Sequence, residues 1–154
     1  SIMLHDMLRR ILRNMDLSEN EIDESIYDAM LLSVDVAHAL HPNKKEKMDI
    51  TNKPVMGKGF CIKQACSQSY ATDAQAIAIL CQLCDEKGIP YQRFVNRSDS
   101  RGGSTLGSIA GTLLPVKTVD IGIPILAMHS ACELMGVRDM KALSDCVTAF
   151  FGYH

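Results

Sequence analysis

Six side chains in this sequence are of types that could do chemistry together: Asp35, His38, His41, Lys63, Tyr70 and His129. Asp35, His38 and His41 fall in one short stretch, residues 33–43, directly after the apolar run Met30-Leu31-Leu32-Ser33-Val34 and before the break at Pro42-Asn43. An apolar run bounded by breakers reads as a buried strand. The carboxylate and imidazoles are therefore expected at and beyond its C-terminal end, where open α/β sheets bind ligands. Carboxylate and imidazole are also the groups that hold a catalytic zinc ion. Each has an ordinary explanation as well: a lone Asp or His beside an apolar run is more often a cap or a satisfied core group. Lys63 and His129 sit at the ends of further apolar runs, where a lone lysine is usually a solvated charge and a lone histidine structural.

The elements that would position these residues follow from periodicity. Met3, Leu4, Met7, Leu8, Ile11, Leu12 and Met15 recur at helical spacing, so residues 1–15 are expected to form an amphipathic helix. Ser18 with Glu21 is a capping-box signal for a second, short helix. A strand is expected over residues 60–63, and Thr72 is read as the N-cap of an alanine-rich helix over 74–87 that Gly88 stops. A short strand at 92–95 precedes a polar, glycine-containing loop at 96–105 and a helix at 106–114. A buried strand over 116–121 is expected to turn at Gly122-Ile123-Pro124, followed by a strand at 125–129, a helix over 130–135 and an amphipathic helix over 138–151. Strands alternating with helices imply an α/β fold, a layered sheet with helices on both faces.

Composition sets limits. The chain has 154 residues, 47% hydrophobic and 22% charged, enough for one domain with a real core. The net charge of −2 argues against a nucleic-acid partner, which needs a basic footprint. No apolar run is long enough to span a bilayer, and no signal peptide opens the chain. The six cysteines are scattered through apolar segments, as expected of reduced thiols in a cytoplasmic protein. Cys81-x-x-Cys84 lies late in its helix, whereas a redox pair normally opens one. The loop Gly102-Gly103-Ser104-Thr105-Leu106-Gly107 lacks the endings of phosphate-binding motifs and reads as a close backbone turn at a helix start.

Five blocks in order resemble the C-terminal part of aspartyl aminopeptidases, a family of two-metal exopeptidases. They are residues 33–43, Lys58-Gly59 with Ile62-Lys63, Tyr70-Ala71-Thr72, residues 97–107, and residues 119–130 ending in Met128-His129-Ser130. The resemblance implies a three-layer α/β/α sandwich of the zinc-dependent exopeptidase type, incomplete because residues 1–154 are the C-terminal portion of one catalytic domain. It implies Asp35 and His129 as ligands of two zinc ions, with cobalt or manganese as alternatives. Lys63 and Tyr70 are implied to line the substrate pocket, with His38 and His41 close to the site. The general-base glutamate, the remaining ligands and the dimerisation domain are expected upstream, since no Glu-Glu pair occurs here. The implied activity is release of N-terminal residues, acidic ones among them, from peptide substrates by a cytoplasmic homo-oligomer, a dodecamer in the full-length family. A catalytically incomplete element serving only assembly is the competing expectation, and a cysteine-based redox or zinc module the weaker third.

Overall fold

In the computed structural model, residues 2–100 and 102–152 are described; Ser1, Arg101, Tyr153 and His154 lie outside the described residues. Two helices, α1 (Ile2–Asn14) and α2 (Glu19–Asp28), lead into strand β1 (Met30–His38). Ser18 caps α2, its hydroxyl accepting the Glu21 N–H while Glu21 reaches back to the Ser18 backbone, so the capping box forms as expected. Arg9 of α1 pairs with Asp23 and Glu19, tying the two helices together. Strand β2 (Phe60–Gln64), helix α3 (Ala74–Lys87), strand β3 (Tyr91–Val95), helix α4 (Leu106–Gly111), strand β4 (Lys117–Leu126), the two-residue strand β5 (Leu134–Met135) and helix α5 (Val137–Phe151) complete the order.

The sheet runs β1-β4-β2-β3, with β5 added to the end of β4. β1 and β4 are parallel, β2 and β3 are parallel, and β2 meets β4 antiparallel. The sheet is thus mixed. Side-chain alternation divides the sheet's two faces. Phe60, Ile62, Val119, Ile121, Ile123 and Ile125 pack on one face against Leu80 and Leu83 of α3 and Leu143 of α5. The opposite face carries Ser33, Asp35, Cys61, Lys63 and Asp120, with α4 laid over β1 and β4. Helices therefore flank the sheet on both sides, as an α/β/α arrangement requires.

Several local expectations differ from the structure. β1 does not end at Val34, because its ladder with β4 continues through His38; Asp35 is inside the strand, opposite Gly122. β4 does not turn at Gly122-Ile123-Pro124. Burial of Ile121, Ile123 and Ile125 against α3 and α5 outweighs the breakers. Pro124 is tolerated because Ile125 turns its carbonyl toward β1, accepting the Ala39 N–H. The nitrogen of Pro124 then faces the other side, in the gap between the β2 and β5 pairings. No helix spans 130–135: Ala127 and His129 take positive φ angles of 56° and 67°, and the chain bends back to pair Leu134–Met135 with β4. At α3 the cap is Asp73, whose carboxylate accepts the Ala76 N–H at 2.8 Å, one residue after the expected Thr72.

Candidate functional site

Lys63 is the centre of the site. It points from β2 to the face away from α3 and is only 3% exposed. A buried ammonium needs partners, and it has three. Its Nζ donates to the Val36 carbonyl at 3.0 Å, lies 3.5 Å from Asp35 Oδ2, and sits 4.5 Å from the centroid of the Tyr70 ring. The Asp35 carboxylate is half exposed, because β1 has β4 as its sole strand neighbour among the described residues.

Tyr70 is held on two sides. Its hydroxyl accepts from Asn96 Nδ2 at 3.0 Å, and its ring packs 6.2 Å from that of Phe94. Burial raises the phenol's pKa above its ordinary value; the Asn96 hydrogen bond opposes this, and the charges of Asp120 and Asp35 add to it. The phenol is therefore protonated at neutral pH. His38, at the end of β1, stacks obliquely 6.5 Å from Phe94. Burial lowers its pKa, and the positive charges of Lys63 and His129 lower it further. His38 is thus a neutral imidazole at neutral pH, able to donate and accept one hydrogen bond each. His41 is exposed and uses Nδ1 to accept the Asn43 N–H at 3.1 Å. A cavity of about 500 Å³ opens here, walled by His38, His41, Tyr70, Phe94, Asn96 and Arg97, among others.

His129 stands in the bend after β4, its backbone N–H donating to Glu133 Oε1 at 2.6 Å. The structure brings Asp35, Lys63 and Tyr70 into contact, and sets His129 within electrostatic reach of His38. Asp35, Lys63 and His129 are not part of the cavity wall. Among the described residues, no group of three carboxylate, imidazole or thiol side chains converges as a metal site.

A sequence model of the family described as Aminopeptidase I zinc metalloprotease (M18) matches residues 1–151. The chain belongs to the M18 aminopeptidase family. A probable M18 family aminopeptidase 2 of Clostridium novyi is 47% identical over 139 residues, 90% of this chain and 32% of that protein. The protein of the same description in Clostridium acetobutylicum is 44% identical over 98% of this chain and 35% of its own length. Among solved structures, a chain from the Ape4 and Nbr1 complex superposes with a TM-score of 0.92 at 34% identity, covering 98% of this chain and 29% of that one. The S. cerevisiae mApe1 dodecamer gives 0.69 at 28% identity over 80% of this chain and 27% of that one. The chain therefore spans about a third of the length of the relatives it matches.

The donors fit a zinc site in kind and fall short in number. One carboxylate and one imidazole suit a divalent zinc ion, but such sites take three or four protein ligands. Lys63 adds a fixed positive charge beside Asp35 that any ion there must tolerate. Sequence reasoning missed Asp120, Thr105, Asn96 and Glu133, which hold the named residues in place. For Asp120 a signal was there to read: a single carboxylate within the apolar run Val119-Asp120-Ile121.

Proposed function

We propose that this chain is the C-terminal third of a zinc metalloaminopeptidase that hydrolyses N-terminal residues from peptides. The observation that carries the reading is the buried Lys63 ammonium held between the Asp35 carboxylate and the Tyr70 ring, in a chain matched to the M18 family over its length. Asp35 and His129 would each contribute a ligand to a dinuclear centre, the remaining ligands and the general-base glutamate coming from upstream polypeptide. The open outer edge of β1, which carries Asp35, leaves room for that polypeptide to approach. What zinc supplies when bound is Lewis acidity, which activates water and polarises a carbonyl.

The chain's own residues bind and orient. Lys63 offers a point charge to an anionic group of the substrate, which favours acidic N-terminal residues. The Tyr70 ring stands in the cavity wall, 4.5 Å from that ammonium. His38, neutral at neutral pH, can hydrogen-bond a peptide group without adding charge, and His41 offers its free Nε2 from the cavity rim. Zinc is the metal the family's description names; cobalt or manganese could take the same donors. A cytoplasmic homo-oligomer completes the reading. It is supported by the six free thiols and by likeness to a protein solved as a dodecamer. No helix among the described residues is long and apolar enough to cross a membrane.

The test is turnover of aspartyl and leucyl chromogenic substrates by the zinc-loaded full-length protein. Asp35→Ala should abolish turnover of both, and undiminished activity would rule the assignment out. Lys63→Met should lower turnover of the aspartyl substrate far more than of the leucyl one. Zinc content separates the competing reading, an element serving assembly alone. The isolated 154-residue chain, with two donors, should hold zinc weakly; near-stoichiometric zinc there would count against that alternative, and an inactive full-length protein that still assembles would favour it.

A further inference from the structure

Asp120 is fully buried in the middle of β4, between Val119 and Ile121. A carboxylate so placed is expensive unless its oxygens are hydrogen-bonded. One oxygen is heavily used. Oδ2 accepts the Ala71 N–H at 2.5 Å and the Thr105 hydroxyl at 2.6 Å. The backbone N–H of Asp120 donates to the Ala71 carbonyl at 3.4 Å, Thr72 bridges to Val119, and the Thr105 N–H donates to the Ser69 carbonyl at 3.3 Å. A single carboxylate oxygen thus joins the loop before α3 to the loop before α4. The second oxygen, Oδ1, has no hydrogen-bond partner. It faces Gly107, where an added Cβ would come within 2.7 Å of it.

The clamp lies directly behind Lys63 and Tyr70. Ala71 follows Tyr70 in the chain, and Lys63 is the cross-strand partner of Asp120 in the antiparallel β2–β4 ladder. Side chains paired in this way stand about 5 Å apart at Cβ on one face of a sheet. Asp120 itself has no place in the cavity wall. We propose that Asp120 is a positioning residue: by gripping Ala71 and Thr105 with one oxygen it holds the Tyr70 ring under Lys63 and so sets where that ring stands in the cavity wall. The inference rests on the aminopeptidase reading for its consequence in binding, and on the hydrogen bonds alone for the clamp.

The experiment is a double-mutant cycle on the full-length enzyme. Asp120→Ala should raise KM for an aspartyl substrate about tenfold, equivalent to about 1.4 kcal/mol of binding, and change kcat less than KM. In a Tyr70→Ala background the same substitution should leave KM unchanged, because the residue it acts through is gone. An equal rise in both backgrounds, or no rise in wild type, overturns the proposal; a scaffold role alone predicts the equal rise. Should Asp120→Ala not fold, Thr105→Val removes one arm of the grip and should raise KM, while Thr105→Ser, which keeps the hydroxyl, should restore it. Hydrogen exchange of residues 69–72 provides a readout without turnover. Their amides should exchange faster in Asp120→Ala or Thr105→Val while those of α3 stay protected, and unchanged exchange refutes the clamp. An inactive wild type would sink the aminopeptidase reading and leave the clamp to be judged by exchange.

Discussion

Replacing Gly107 with alanine sets two effects of opposite sign against each other. Gly107 is the second residue of α4 after its N-cap Thr105. In an exposed helix, alanine in place of glycine stabilises by about 1 kcal/mol, because glycine loses more backbone freedom on folding. Here the new methyl group would lie 2.7 Å from Asp120 Oδ1, 2.7 Å from Ser33 Cβ and 2.8 Å from Ser33 Oγ. Ordinary contact begins at 3.4 Å, so α4 must lift or the sheet must yield by about 0.7 Å. Both neighbours are fixed in adjacent strands, and Asp120 is further held by Ala71 and Thr105. Overpacking of this kind costs about 1–3 kcal/mol. Gly107→Ala should therefore destabilise by about 1 kcal/mol net, a fall in Tm of about 2–4 °C for a domain of this size. Urea unfolding followed by far-ultraviolet circular dichroism measures it. Adding Ser33→Gly should recover part of the loss, since that removes two of the three close atoms. A Gly107→Ala chain as stable as wild type, or more so, would refute the close packing of α4 on β1 and β4.

Two further predictions bear on stability. Asp139 is fully buried at the start of α5 and accepts the N–H groups of Gly57 at 2.6 Å and Gly59 at 2.7 Å. Asp139→Asn keeps one acceptor and turns an NH2 toward the other donor, so it should cost about 1.5–3 kcal/mol in urea unfolding; an unchanged midpoint would show that these bonds do not hold the loop before β2. The His38 pKa lies below its ordinary 6.5 in the folded chain, first through burial and then through Lys63 and His129. Protonation therefore favours the unfolded chain, and the stability His38 contributes is complete above pH 6.5 and is lost as pH falls below it. His38→Gln should flatten the decline in urea midpoint just below pH 6.5, and an identical decline in both proteins would contradict the assigned surroundings of His38.

What could be read from the sequence was what is encoded locally. The helix over 74–87 and its glycine stop follow from neighbouring residues, and the structure places both, with Gly88 at φ 65°. The residues matched to the family blocks were legible for the same reason, and three of them, Asp35, Lys63 and Tyr70, come into contact. Long-range effects were not legible. Gly122 and Pro124 look like a turn until α3 and α5 bury the isoleucines around them. The grip of Asp120 depends on Ala71 and Thr105, 49 and 15 positions away, and no local pattern announces such partners.

The bend after β4 bears on how the site keeps its shape. Ala127 and His129 both occupy left-handed backbone, where a side chain costs about 1 kcal/mol or more relative to glycine. A connection free of such constraint would carry glycine at both places; here the Glu133 carboxylate, which accepts the His129 N–H, and the short β5 pairing hold the chain in this conformation. The backbone at His129 is held in this bend by Glu133, while the imidazole itself stands exposed.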